Sequence, residues 1–382
     1  MFRFLAVAAV VYYHAYHSEP GAFILAPQQA HSFEGFVEGF VSQALMRWGL
    51  PLLAVISGFL FFRTLTPTAH GFLTKMRTRV RTIVIPFLIW SGLGVLFAIA
   101  VAHSPARDVS PYWTITSAGE ALHRWLVDPV IYPLWFLQAL MTCVVLSPLV
   151  YLLVRGLRSW ALVVAVVWWS LGWQPADLMP WISATIFPAF IAGAVFALRG
   201  WRWPWEGRRA AAAAGPPAAA SASPAVTWTL VAAWLVAAAL FTVYGHLLGS
   251  WTRAVLLVVV VLSVFALWTA FDALRGLLRP SPRLVTTGLF VASLSFFVYV
   301  TQEPTLSVLK HIGEKVVPAS ADGGSAAGQA LAVIVYLAAP TITIALSVVA
   351  AIVLGELLPR VYRVTTGGRG PRRTSAHSET VT

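Results

Sequence analysis

The sequence predicts an all-α fold: a polytopic transmembrane helix bundle of about ten spans, with both termini inside. Three observations carry that prediction. Apolar residues make up 59% of the 382 and charged residues 10%, against about 25% charged in an ordinary soluble domain, and mean hydropathy is +0.78. A span needs about 20 mostly apolar residues to cross about 30 Å of hydrocarbon. Ten segments meet or approach that length, at roughly 2–17, 44–63, 83–102, 132–154, 159–173, 180–199, 226–248, 253–272, 285–309 and 329–358. Finally, the basic residues sit in short clusters between these segments. With the N-terminus placed inside, twenty of the 26 lysines and arginines fall on the cytoplasmic side and six, Arg47, Arg107, Arg124, Arg253, Lys310 and Lys315, on the outer side. That bias orients membrane proteins.

The formal net charge of +12 is therefore topological. The lipid bilayer is the expected partner, and no nucleic acid is. Residues 1–364 read as one integral membrane domain. Inside it, EGRRAAAAAGPPAAASASPA at 206–225 is an Ala/Pro/Ser linker that cannot bury a core, and it parts six segments from four. Residues 365–382 read as a disordered cytoplasmic tail. The single cysteine, Cys143, lies in an apolar run. This excludes a disulfide framework and a cysteine metal site, and no metal is expected.

In the first segment, MFRFLAVAAVVYYH, the residues Arg3 and His14 stand eleven apart. On an α-helix eleven residues fall about 20° past three full turns, so both side chains point the same way about 16 Å apart along the axis. His14 then lies at depth, where an ionisable group is by default functional. Alternatively the segment ends at His14, and the imidazole marks its wet outer end.

Four further stretches carry polar chemistry. In KMRTRVRTIVIPF at 75–87, Lys75, Arg77, Arg79 and Arg81 are either a positive-inside anchor or a set of guanidinium forks suited to the phosphates of a nucleotide-like cofactor. In LAVISGFLFF at 53–62, Gly58 allows close helix packing. In VIYPLWFLQAL at 130–140, Tyr132 and Trp135 fit an interfacial aromatic belt, while Gln138 needs a partner. In LSFFVYVTQEPTLSVLK at 294–310, Tyr299, Gln302 and Glu303 precede Pro304, which places Glu303 at the outer end of a broken helix, paired, wet or protonated.

RFLAVAAVVYYH, LLAVISGFLFF, the basic loop running into IPFLIW, YPLWFLQAL and SFFVYVTQEP stand in the order and rough spacing of the acyltransferase-3 family, which the chain resembles to about residue 358. The LWFL block resembles the fucose 4-O-acetylase-like branch. The resemblance implies a membrane O-acyltransferase of the bacterial cytoplasmic membrane. It would use cytoplasmic acyl-CoA, acetyl-CoA by default, and a carbohydrate or lipid-linked glycan acceptor of the envelope. The family's span-one arginine and histidine fall on Arg3 and His14. Its RxxR motif falls on 77–81, where Thr78 stands three residues before Arg81, so Arg77 or Arg79 would serve. Gln302 stands where many relatives carry histidine, and Pro133 where some of that branch do.

These matches imply His14 as the base for the acceptor hydroxyl or as an acyl carrier, oriented by a carboxylate among Glu19, Glu34 and Glu303. Arg3, Arg77, Arg79 and Arg81 would hold the CoA phosphates. Acceptor selection would fall to loops 18–43, 103–131 and 310–328, where Phe33, Glu34, Trp113 and Trp125 are able to stack on or hydrogen-bond a sugar. The alternative is a transporter or flippase of an envelope glycan. It would show paired discontinuous helices, which a six-plus-four division does not suggest.

Overall fold

The computed structural model describes residues 2–17, 32–102, 113–174, 181–200, 224–278, 281–317 and 325–369. The linker reading at 206–225 falls outside these residues up to Ser223, and Pro224 already begins a helix. Glu19 and the tail from 370 also lie outside them. Among the described residues the chain is entirely helical, with no strand.

The first helix, α1 (Phe2–His14), ends three residues short of the expected boundary. The Nζ of Lys310 donates to the Tyr16 carbonyl at 2.6 Å, placing a cation at the negative end of the helix dipole. Next, α2 (Phe33–Glu38) runs through a π-helical turn (Gly39–Leu45) toward α3 (Gly49–Arg63), and α4 (Ala69–Arg79) runs through another (Val80–Val84) into α5 (Ile85–Ala102). Then come α6 (Ala118–Leu126), a 3₁₀ turn (Tyr132–Leu134), α7 (Trp135–Val145), α8 (Ser147–Leu157), α9 (Ala161–Leu171) and α10 (Ile186–Leu198). After the linker stand α11 (Pro224–Tyr244), α12 (Thr252–Leu278), α13 (Pro282–Ser293), α14 (Ser295–Val316), α15 (Ala326–Leu357) and α16 (Pro359–Thr365). Several starts carry a hydroxyl N-cap. Ser32, Thr68, Ser117 and Ser325 each accept a hydrogen bond from the backbone N–H three residues on, satisfying a donor the helix leaves open.

Helix α1 lies at the centre, touching α3, α13, α14, α15 and the first π-helical turn. The tightest pair is α3 with α10. A Cβ built on Gly58 would meet the Phe190 carbonyl oxygen at 2.3 Å, and one on Gly193 would meet the Val55 carbonyl oxygen at 2.1 Å. The close approach expected of Gly58 is thus reciprocal, with a glycine on each helix. Cys143 is buried in the core that α7 shares with α1 and α10.

Six helical segments are long and apolar enough to cross a bilayer: Phe33–Arg63, Ala69–Ala102, Ser147–Leu171, Pro224–Leu247, Gly249–Leu274 and Ala326–Leu357. A seventh follows if Val285–Ser293 and Ser295–Val316, bent by 57°, count as one span. The difference from ten lies in α1 and in Tyr132–Val145 and Ile186–Leu198, which are apolar but shorter. Large apolar side chains such as Leu96, Val145, Leu149, Leu171, Leu240 and Val349 face outward. In lipid that exposure costs nothing, because hydrocarbon is as apolar as leucine.

Candidate active site

The unbroken α1 keeps Arg3 and His14 on one stripe, as the helical period requires. The helix does end at His14, yet the imidazole turns inward, away from water. Tyr132 stands edge-on to the ring at 5.7 Å between centroids, and Tyr13 at 5.0 Å. The Val10 backbone, the Lys310 charge and the Gln302 side chain all act on the ring. Both ring nitrogens are nonetheless buried without a hydrogen-bond partner, as is Gln302 Oε1. Gln302 is fully buried, and its Nε2 donates to the Tyr299 carbonyl at 3.0 Å. A buried polar group left unmatched costs about 1–3 kcal/mol and is rare. Two such groups side by side are chemically able to receive a hydrogen-bonding group between them.

Three separate stretches of sequence meet here. The Tyr299 hydroxyl donates to the Pro133 carbonyl, tying the VYVTQEP stretch to the YPLWFL stretch, and both close on His14. In α14 the backbone at Glu303 is non-helical, φ −99° and ψ 140°, immediately before Pro304, so the helix is broken where the sequence indicated. The break lets Gln302 face α1 while the Glu303 carboxylate turns to accept from Ser307 Oγ at 2.7 Å and to face Lys310. Glu34 lies in the first turn of α2. From the same helix Glu38 contacts His17, just past the end of α1.

At the other end of α1 the basic cluster divides. Residues two apart on a helix diverge by about 200°, so Arg79 turns away from Arg77 and Arg81. Those two are exposed while Arg79 is half-buried. Arg79 lies within electrostatic reach of Arg3, and a third guanidinium, Arg369, within reach of both. Arg369 follows α16, which docks through Tyr362 stacked on Phe297 and through the Trp90 indole donating to the Thr365 carbonyl at 2.9 Å. Gly367, at φ +62°, turns the chain against the Thr82 backbone. Arg369 then lies over the Phe296 ring at 4.2 Å with Nη1 buried and without a partner. Burial, with Arg3 and Arg79 beside it, lowers its pKa to about 10, so it stays charged at neutral pH. Three neighbouring guanidiniums suit a phosphate. Sequence reasoning counted Arg369 only toward topology. The Gly367–Gly368 pair was the one local sign that the chain turns back.

Beside His14 opens a cavity of about 360 Å³ whose wall includes Tyr13, Tyr132, Trp135, Arg47 and Arg253. The two aromatics read as an interfacial belt therefore point into the protein. Gln138 finds its partners in the Leu126 and Val127 carbonyls, at 3.2 and 2.9 Å. Two aromatics of the 103–131 loop also have structural places. Trp113 is buried against Phe97, and the Trp125 indole donates to the Leu88 carbonyl.

A family model described as an acyltransferase domain matches residues 1–355. The succinoglycan biosynthesis protein ExoH of Rhizobium meliloti (strain 1021) is 26% identical over 380 residues, covering 97% of this chain and 91% of its own. No solved structure matches the chain.

Proposed function

The chain belongs to the acyltransferase-3 family, and on that premise we propose that it is a membrane O-acyltransferase of the bacterial cytoplasmic membrane. It moves an acyl group, acetyl by default, from cytoplasmic acyl-CoA to a hydroxyl of an envelope carbohydrate. The observation that carries the reading is His14: both its nitrogens are buried and unmatched, with arginines at one end of its helix and a cavity at the other. The similarity to a succinoglycan biosynthesis protein supports a polysaccharide, or its lipid-linked precursor, as the acceptor.

Acyl transfer from a thioester to an alcohol needs a base near neutral pH, which imidazole supplies. His14 takes the proton of the acceptor hydroxyl as its oxygen attacks the thioester carbonyl. The C–S bond breaks, and the imidazolium returns the proton to the departing CoA thiolate. The alternative sequence, in which His14 first carries the acyl group, uses the same geometry. Gln302 positions the ring. Arg3, Arg79 and Arg369 hold the donor phosphates, with Arg77 and Arg81 on the exposed face of the same loop. Among the carboxylates, Glu303 acts through Ser307 and Lys310 rather than on the imidazole directly, and Glu19 is the other candidate orienting group.

Ten spans with both termini inside fit this division of labour, placing the arginine trio in the cytoplasm and the cavity toward the outer face. The direct test is transfer of radiolabel from acetyl-CoA to an envelope glycan by protein in lipid nanodiscs. His14→Ala is expected to lower the rate at least about a hundredfold. Transfer at the full rate would remove His14 from the chemistry.

A further inference from the structure

His14 is the last residue of α1, in the turn where an α-helix leaves its final carbonyls without intrahelical partners. Such turns open readily unless something outside the helix holds them. Two residues remote in sequence do so here, from two sides. Ser42, in the π-helical turn Gly39–Leu45, is fully buried, and its hydroxyl donates to the Tyr12 carbonyl at 2.5 Å. A hydroxyl has one proton to give, so the Tyr336 hydroxyl of α15 donates to Ser42 Oγ, at 2.6 Å. From α14, Lys310 Nζ donates to the Tyr16 carbonyl at 2.6 Å. Tyr12 and Tyr16 stand two residues to either side of His14.

The lysine is a costly way to pack two helices. Side chains on a helix lean toward its N-terminus, so Lys310 reaches back toward the break at Glu303. It is partly buried and lies within electrostatic reach of Glu303, Glu38 and Glu314. Taking such charges out of water is expensive, and apolar side chains of similar volume often pack as well. What the ammonium adds is a directed, charge-assisted bond to the end of the helix that carries His14. Thus α14 meets α1 twice, with Gln302 beside the ring and Lys310 on the backbone two residues further on. The His14 nitrogens have no hydrogen-bond partner among the described residues, so the place of the ring depends on where this backbone is held.

We propose that Lys310 and Ser42 are positioning residues for the reaction: together they cap α1 from two neighbouring elements and hold the His14 backbone where its imidazole can exchange a proton with the reacting groups. This rests on the acyltransferase reading and adds to it the parts that keep its base in place.

The test joins kinetics to the chemical protection of His14, on the full chain in lipid nanodiscs. Lys310→Met and Ser42→Ala should each lower kcat for acyl transfer about tenfold, the scale of one such bond. The KM for acyl-CoA should stay unchanged, because Arg3 and Arg79 lie at the other end of α1. Lys310→Arg keeps a charged donor and should recover most of the rate. Diethyl pyrocarbonate modifies accessible neutral imidazoles, and peptide mass spectrometry reads them one by one. His14 should be protected in the natural chain and in Lys310→Arg, and should react about tenfold faster in Lys310→Met and Ser42→Ala as the last turn opens. The exposed His123 of α6 should react at one rate in all four. Should Lys310→Met fail to fold, Lys310→Gln takes its place, polar but uncharged and one bond shorter. A rate lost while His14 stays protected overturns the proposal, and so does arginine no better than methionine. A raised KM for acyl-CoA with kcat unchanged also overturns it, by assigning the residues to donor binding. Protection lost in the variants of a chain that transfers no acyl group counts against the proposed function and leaves the cap standing. Normal transfer by the natural chain, with rate and protection unchanged in the variants, does the reverse.

Discussion

At the scale of single residues, His14 and Gln302 form a pair that only the fold brings together. His14 was legible in the sequence because helical phasing is local: knowing that eleven residues return a helix to the same face is enough to align it with Arg3. Gln302 was visible as a polar residue in an apolar stretch, but its partner lies nearly three hundred residues away. No spacing rule spans that distance. In the proposed mechanism it positions the ring, which its place beside His14 with Oε1 unmatched supports. Gln302→Ala should lower kcat about tenfold, the scale of one neutral hydrogen bond that Oε1 would offer the ring when it carries a proton during turnover. The KM for acyl-CoA should stay unchanged, because the donor arginines lie at the far end of α1. Gln302→His restores a ring nitrogen at the same place and should recover most of the rate. Equal losses in both variants would overturn this role, because histidine keeps both the volume and a hydrogen-bonding atom.

At the scale of elements, two contacts decide whether the site is assembled. The first is α3 against α10. Gly58→Ala and Gly193→Ala place a methyl group against a carbonyl oxygen at 2.3 and 2.1 Å. Because helix backbones do not yield as a flexible side chain does, each should cost about 1–3 kcal/mol, read as a lowered unfolding temperature in detergent. Gly156→Ala meets nothing within 4 Å and should be neutral or slightly stabilising, since alanine is the better helix former by about 1 kcal/mol. The Gly58 approach was legible as a small residue in a span, while its reciprocal at Gly193 depended on the register of two helices.

The second contact is α16, which delivers Arg369 to Arg3 and Arg79 from beyond the residues that match the family. A tail rich in Gly, Arg and Ser gives no hydrophobic period from which to infer docking, so nothing in its sequence marked Arg369. Arg369→Ala should raise the KM for acyl-CoA about tenfold with kcat nearly unchanged, as expected for lost binding felt equally in ground and transition states. A fall in kcat alone would place Arg369 outside the donor site.

For the whole molecule, the open question is how the chain is threaded, and it turns on the stretch between α6 and α9. By length and composition Ser147–Leu171 passes as one span. That would carry Arg155 and Arg158 into hydrocarbon, where each charge costs about 2.5–3.5 kcal/mol at least. The structure instead turns there. Arg158 has φ +55°, a 3₁₀ turn covers Arg158–Trp160, and residues 155–160 are all exposed. If the chain doubles back at this exposed break, the penalty is removed and the positive-inside count is met. In that threading α7 and α8 together would make one crossing, broken at Leu146, so that neither half need be long enough alone. Under that threading residue 119 lies outside and residue 156 inside. Cys143 is 1% exposed, so the natural chain offers a thiol reagent almost nothing, and single cysteines report their own side. Gly119→Cys and Gly156→Cys add side chains into open space and should leave the fold intact. A membrane-impermeant maleimide applied to intact cells should label Gly119→Cys alone, and labelling of Gly156→Cys should require inverted vesicles. If both label from the same side, α7–α8 is a re-entrant hairpin, the ten-span threading fails, and the arginine trio and the cavity no longer stand on opposite faces.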